Sequence, residues 1–307
     1  MIQAGSHAST RVRVTVFGSV AFDTVGLVDR LPEPESTARV ASLALVPGGA
    51  AGNVAARLGA LGARPALAAT VGPDFGGSAY ERALAKLGVD LSRLVRVEEA
   101  TAHAFIFNAP DGHQVLFFHP GASTRLAAMP VRETDLAHFS AGEIPAYPAH
   151  MERAEYVTFD PGQEVYHRPI ADIEACLPHV DVWFGNKREL DRLARASPAL
   201  AIRAMLKTGV DAVVETRGGE GTLVHTAAGS TVIPAVPAQL VDATGAGDAH
   251  RAGYLLALAG GLGFEDAARV ASASAAFAVE TLGPQTSLPD ARAVAARYAA
   301  TFGRWPL

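Results

Sequence analysis

The segment Asp242–Asp248 (DATGAGD) holds the residue types that phosphoryl transfer to an alcohol needs. Gly245, Ala246 and Gly247 carry little or no side chain, so a polyanion can approach their backbone. The helical run Ala249–Ala259 follows directly, so those amides would point out of a helix N-terminus, where the peptide dipoles favour negative charge. Such a cradle acts as an anion hole for the charge that develops on a transferring phosphoryl group. Asp248 comes next, in reach of the proton of an attacking hydroxyl, and is the candidate catalytic base. A glycine-rich turn ending in an ordinary acidic residue would look the same over GAGD alone. Asp242 and Thr244 upstream favour the chemical reading.

Three further places could bind the acceptor. Gly48–Asn53 (GGAAGN) offers bare backbone at Gly48 and Gly49, then the Asn53 amide, which both donates and accepts and so suits sugar hydroxyls; a tight turn with a helix cap is the structural alternative. Asp23 follows the first strand, and a carboxylate there can take two vicinal hydroxyls; an N-cap or turn residue is the alternative. Gln163, in DPGQ (Asp160–Gln163), could read a base edge or bind the phosphate region, and the sequence does not choose. His119 reads as a loop residue, and Arg251 as a buttress of the phosphate site or an ion-pair partner; both stay outside the catalytic set. Neither of two common nucleotide motifs applies. No GxxxxGK[ST] occurs, and the glycines of Arg217–Gly221 lie between two expected strands with no helix after them, unlike a dinucleotide fingerprint.

The elements that must position these residues follow from periodicity. Arg11–Gly18 alternates as a strand. Leu27–Pro47 is rich in proline and β-formers and reads as a small strand pair. Gly48–Leu61 turns helical, Pro65–Gly72 is a strand ending in a turn, and Phe75–Leu87 is a helix that Gly88 can terminate. Thr101–His119 reads as a hairpin turning at Asp111–Gly112. Tyr156–Asp160, Asp181–Gly185 and Ala212–Thr216 are short strands separated by helices. Gly221–His225 and Ser230–Val236 form a second hairpin, and the chain is helical from Gly245 onward. Strands alternating with helices imply a mostly parallel, doubly wound α/β sheet. The β-rich segments 22–47 and 101–119 interrupt that alternation and are the expected lid. Residues 11–307 form one domain, and residues 1–10 read as a disordered lead.

Composition excludes other classes. The 307 residues are 49% apolar and 19% charged, enough for a large core and too ordered for a disordered chain. The net charge is −5 with no Lys/Arg block, which argues against nucleic acid and anionic membrane as partners. No apolar run reaches the ~18 residues of a membrane span. The single cysteine, Cys176, rules out a disulfide within the chain and reads as a small apolar helix residue, consistent with a cytoplasmic location.

Together GSVAFD (Gly18–Asp23), GGAAGN, NKREL (Asn186–Leu190), ETRGGEG (Glu215–Gly221) and DATGAGD resemble, in order and over roughly residues 13–295, the ribokinase-like (PfkB) carbohydrate and nucleoside kinase family. The resemblance implies a ribokinase-like α/β/α sandwich with a small β-lid, and transfer from MgATP. It implies that Asn186 and Glu189 form the family's NxxE element, with Glu189 organising Mg²⁺ through water. It places Thr216, Gly218 and Gly221 on the nucleotide side, and Asp23, Gly49 and Asn53 on the sugar side. As in some relatives, the helix start near Asp248 and the Ser272–Ser274 region could host a monovalent cation such as K⁺. Lids in the family either pair or close alone, so a monomer or a homodimer is expected.

FFHPGAS (Phe117–Ser123), DPGQ, GDAHRAG (Gly247–Gly253) and GPQ (Gly283–Gln285) resemble the compact microbial nucleoside kinases of the adenosine-kinase-like branch, although His250 stands where that branch usually has an aromatic residue. A nucleoside needs a stacking platform worth about 1–3 kcal/mol per base, for which Phe22, Phe105, Phe107, Phe117 and Phe118 are candidates. The expected reaction is ATP-dependent phosphorylation of the primary hydroxyl of a ribonucleoside. A free sugar such as ribose or fructose, or a non-catalytic sugar- or nucleotide-binding role on the same fold, are the alternatives.

Overall fold

The computed structural model describes residues 12–111, 113–194 and 197–307. The expected lead, Arg11 of the first strand and Gly112 of the expected turn lie outside the described residues. Along the chain, β1 (Val14–Phe17), β2 (Ala21–Val28) and β3 (Val40–Gly48) precede α1 (Ala50–Ala60). Then come β4 (Ala66–Ala68), β5 (Thr70–Val71), α2 (Ala79–Lys86), β6 (Val95–Arg96), β7 (Ala102–Asn108), β8 (Gln114–His119) and β9 (Thr134–Phe139). They are followed by α3 (Tyr147–Met151), β10 (Ala154–Phe159), α4 (Ile170–Glu174), β11 (Val182–Asn186), α5 (Lys187–Leu193), α6 (Pro198–Lys207) and β12 (Ala212–Thr216). The hairpin β13 (Thr222–Thr226) and β14 (Gly229–Ile233) leads into α7 (Ala246–Ala259), α8 (Phe264–Ala278) and α9 (Ala291–Phe302).

The main sheet runs β14-β13-β12-β11-β10-β9-β1-β4 and is parallel except for β13 and β14 at one edge. Its middle strands are buried on both faces, so apolar residues are continuous along them rather than alternating. Adjacent residues serve opposite cores. Val182, Phe184 and Val214 pack with α1, α7, α8 and α9, whereas Trp183 and Val213 pack with α3, α4, α5 and α6. This is the α/β/α sandwich expected. The chain leaves β1 for β4 on one side and returns through β9 on the other. The strand order therefore reverses at β1, the place where open α/β sheets bind ligands at their C-terminal ends.

The segments 22–47 and 101–119 join as one four-stranded sheet, β3-β2-β7-β8, with β2 and β7 parallel and the outer pairs antiparallel. Four expectations change in detail. Pro65–Gly72 is not one strand: β4 joins the main sheet, and β5 pairs with β6. The helix expected over Phe75–Leu87 begins only at Ala79. Pro73–Phe75 forms a 3₁₀ turn, Gly76 and Gly77 disfavour continuation, and Ser78 caps α2 by accepting from the Glu81 amide at 3.1 Å. Strand β9 was not expected, because Asp135 and His138 break its apolar pattern. His138 is nevertheless buried, its Nδ1 2.8 Å from Thr158 Oγ1. The catalytic-segment helix starts three residues earlier than expected, at Ala246, which puts Gly247 and Asp248 inside its first turn.

Candidate active site

Two helix N-termini meet at the site. Gly245 is the N-cap of α7, with φ 77°, and a Cβ there would lie 2.8 Å from Pro284 Cα. Only glycine combines that left-handed backbone with so close an approach. Asp242 shapes the loop before it, its Oδ1 accepting from the Thr244 amide at 2.9 Å and its Oδ2 from the Gly283 amide at 2.8 Å. The amides of the first turn of α7 are left pointing out of the helix, the arrangement that binds anions.

Asn53, in α1, donates from Nδ2 to Asp248 Oδ2 at 2.8 Å. The sequence-derived base and the sequence-derived sugar amide are therefore in direct contact across 195 residues of chain. Asp23 sits on β2 beside them. Gly48, on β3 two residues beyond Asp23's partner Val46, is where any Cβ would collide with the Asp23 carboxyl, so a residue expected to contact substrate instead makes room for one that can. Burial, and then the charge of Asp248, raise the Asp23 pKa to about 7. Burial likewise raises Asp248 to about 6, opposed by the Asn53 hydrogen bond and by Arg251. Both carboxyls thus titrate close to neutrality, as groups poised for proton transfer do.

Behind Asp248 lies a charge cluster that the sequence did not reveal. Arg251 is buried, with Nε 2.7 Å from Asp160 Oδ2 and its guanidinium over the Phe184 ring. Gly247 lets it come that close: a Cβ there would lie 2.7 Å from the guanidinium. Arg251 also interacts electrostatically with Glu189 and Asp248, so the buried Asp160 and Glu189 and the half-buried Asp248 surround one buried cation. Of the two sequence readings of Arg251, the structure shows the ion-pair partner. Burial and the neighbouring Asp160 raise the Glu189 pKa.

Asn186 and Glu189 form a reciprocal cap on α5. The Glu189 amide donates to Asn186 Oδ1 at 2.9 Å, and the Asn186 amide donates to Glu189 Oε2 at 2.7 Å. In register, Asn186 lies opposite Thr216, so the NKREL element and the ETRGGEG loop are neighbours at the C-terminal ends of β11 and β12. Gly218 faces open space and Gly221 packs tightly against the end of β14. Among the described residues no three His, Cys, Asp or Glu side chains are grouped to hold a metal ion by themselves. A surplus of buried carboxylate oxygens nonetheless suits Mg²⁺, which keeps several waters and leans on one or two carboxylates plus phosphates.

Other expected residues separate. Gln163 is exposed on the turn Gly162–Tyr166, after Asp160, and is not drawn into the Asp23–Asn53–Asp248 group. Of the five phenylalanines, Phe118 alone shares the face of Asp23, because Asp23 lies opposite Ala104 and Ala104 opposite Phe118. Phe105, Phe107 and Phe117 point to the other face, and Phe22 packs on Phe75 and Tyr80. Ser274 packs where α8 crosses Gly253 of α7.

Residues to which the sequence analysis gave no site role hold the site together. Gln285 Nε2 donates to Asn53 Oδ1 at 2.8 Å and to the Tyr80 hydroxyl at 2.9 Å, and that hydroxyl donates to Gly48 O. Arg57, one turn past Asn53 and buried, donates from Nη2 to Pro284 O at 2.6 Å and so fixes the segment that carries Gln285. The i, i+4 spacing of Asn53 and Arg57 in an otherwise apolar helix was the available signal.

The chain is similar in sequence and in fold to known kinases. The family described as pfkB family carbohydrate kinase matches residues 12–291. A nucleoside kinase of Methanothermobacter thermautotrophicus is 32% identical over 300 residues, spanning 94% of this chain and 96% of the relative. The crystal structure of the Methanocaldococcus jannaschii nucleoside kinase, an archaeal member of the ribokinase family, superposes with a TM-score of 0.87 at 32% identity, covering 94% of this chain and 98% of that one. The nucleoside kinase of Burkholderia thailandensis in complex with inosine gives a TM-score of 0.85 at 26% identity, covering 95% and 97%.

Proposed function

The chain belongs to the pfkB carbohydrate kinase family and is an ATP-dependent kinase, and from this we propose that it phosphorylates the primary hydroxyl of a ribonucleoside. The observation that carries the reading is the Asn53–Asp248 contact, because it sets the acceptor-binding amide against the base at the mouth of an anion-binding helix terminus. Asp23 and Asn53 hold the ribose hydroxyls. Asp248, ionised, accepts the proton of the attacking hydroxyl, and the backbone of Gly245, Ala246 and Gly247 takes up charge on the transferring group. Asn186, Thr216, Gly218 and Gly221 hold the nucleotide, and Glu189 holds Mg²⁺ through water. When bound, Mg²⁺ would help neutralise the negative charge of the phosphate groups. The sheet β3-β2-β7-β8 acts as a lid within the single domain 11–307, with Phe118 the base platform. The substrate pocket takes no help from Gln163 in this reading.

The names of the similar enzymes and the inosine complex of one of them support a nucleoside acceptor. A panel of inosine, adenosine, cytidine, ribose and fructose with ADP detection tests it: turnover is expected with at least one nucleoside. Turnover confined to ribose or fructose would overturn the nucleoside assignment and leave the kinase. Binding without any turnover would point to a silent binding protein.

The helix start near Asp248 and the Ser272–Ser274 region are also read as the seat of a monovalent cation, so exchanging K⁺ for a bulky quaternary ammonium should lower kcat. Monomer and homodimer are both compatible with the fold, and light scattering decides between them. Among the described residues no helix is long and apolar enough to cross a membrane, in keeping with a cytoplasmic reading.

Because kcat/KM reports groups in the free enzyme, it should fall as pH drops through about 7 and then about 6, as Asp23 and then Asp248 take up protons. A kcat/KM profile flat down to about pH 5 would show that neither carboxyl must be ionised.

A further inference from the structure

We propose that the chain carries a second anion site, separate from the catalytic cleft, that binds a phosphate-bearing small molecule between α6 and the β13–β14 hairpin. A cavity of about 780 Å³ opens there, lined by Lys187, Arg203, Lys207 and Arg217 against a single carboxylate, Glu215. The concentration of cations is unexpected in a chain of net charge −5.

Strand register separates the cavity from the cleft. On β12 and β13, Thr216 and Thr222 are paired, and Thr222 Oγ1 lies 3.1 Å from His250 Nε2 of α7, on the catalytic face. Glu215 and His225 come from the alternate positions and so face the other way, toward α6. A ligand in this cavity therefore has the sheet between it and α7.

The carboxylate in the cavity is already occupied. Arg217 donates to both oxygens of Glu215, at 2.7 and 3.1 Å, and His225 Nε2 lies 3.1 Å from Oε2. His225 Nδ1 in turn lies 2.7 Å from Ser230 Oγ. Burial alone would raise the Glu215 pKa, but these partners hold it below the usual carboxylate value. Glu215 thus stays ionised and satisfied, and fixes one wall. Among the described residues Lys187, Arg203 and Lys207 have no ion-pair partner. Three cations that line one concavity, unpaired among the described residues, attract a multiply charged anion, and phosphate oxygens match lysine point charges and guanidinium forks. The cavity is far larger than one phosphate group, and Ile202 of α6 lines it, so there is apolar wall for an organic body.

Isothermal titration of inorganic pyrophosphate into the full chain, at about 0.15 M salt to screen loose counter-ion binding, tests the assignment. The charge-reversed variant R203E/K207E is the comparison. Both positions are exposed and lie outside the cleft, so kcat and the KM for ATP of the variant should match wild type and certify its fold. Wild type is expected to bind one more equivalent than the variant, or the same equivalent about tenfold tighter or more, since attraction becomes repulsion at two positions. Adenosine 5′-monophosphate titrated in parallel separates the sources: a preference for it assigns an organic phosphate, and a preference for pyrophosphate an inorganic one. Equal stoichiometry and affinity in wild type and variant for both probes would overturn the site.

Discussion

Replacing Asp248 with Asn is expected to lower kcat by roughly 10²–10⁴, the share that a positioned base contributes, while leaving the KM for ATP nearly unchanged. The substitution keeps the shape and one oxygen for the Asn53 amide, which now donates to Asp248 at 2.8 Å. It also leaves the first turn of α7 and its amides in place. Only proton acceptance is lost, so the defect should appear in the step made with the transition state rather than in ground-state binding. Steady-state kinetics with saturating nucleoside and ATP measure it. A kcat within a few-fold of wild type would remove Asp248 from the base role and leave it as a helix-terminal acid.

Arg251→Met is expected to damage the fold more than the chemistry alone would suggest. Arg251 is buried and offsets Asp160, Glu189 and Asp248. Methionine fills much of the volume but leaves the carboxylates without their cation. Breaking a buried pair from one side costs about 3–5 kcal/mol, so a fall in Tm on the order of 10 °C follows. Calorimetry of the ligand-free protein checks it at pH 8, where the carboxyls are most ionised. A Tm within a degree or two of wild type would mean that water already solvates the cluster. Arg251→Lys should recover only part of the loss, since an ammonium does not reproduce the guanidinium's fork or its stacking on Phe184.

The parallel sheet and the site were legible to different degrees, for physical reasons. Alternating strand and helix periods were enough for the parallel sheet, because buried strands and amphipathic helices differ strongly in pattern. Strand β9 escaped because His138 finds a partner for its Nδ1 inside the sheet in Thr158, a bond that no local pattern announces. Asp248 and Asn53 were legible because glycine-rich helix starts constrain backbone, and backbone constraint is written locally. The start of α7 was placed late because Ala246 and Gly247 have no periodicity to read. Gln285, Tyr80 and Arg57 were not legible as a group: their contacts span from 205 to 232 residues of chain. The facing of the lid phenylalanines depended on register, and a register error of one residue would have reversed it. Gln163 was placed by its neighbours in sequence; Asp160 does reach the cluster behind Asp248 through Arg251, but Gln163, three residues on, is exposed.

The proximity of Asp23 and Asp248 has a consequence for how stable the ligand-free chain can be. Each binds its proton more tightly in the folded chain than in an unfolded one, where a carboxyl titrates near 4. That contribution to stability is complete below the unfolded value, and is lost as pH rises through about 6 for Asp248 and about 7 for Asp23. At the pH where the base must be ionised to work, the folded chain holds two mutually repelling charges, one buried at Asp23 and one half-buried at Asp248, so function and robustness are set against each other in the same pair of side chains. The Asp248→Asn variant that loses catalysis should therefore melt higher than wild type at pH 8, and the difference should shrink toward pH 5. Evolution toward greater thermal tolerance would find its easiest gains at the positions it cannot change.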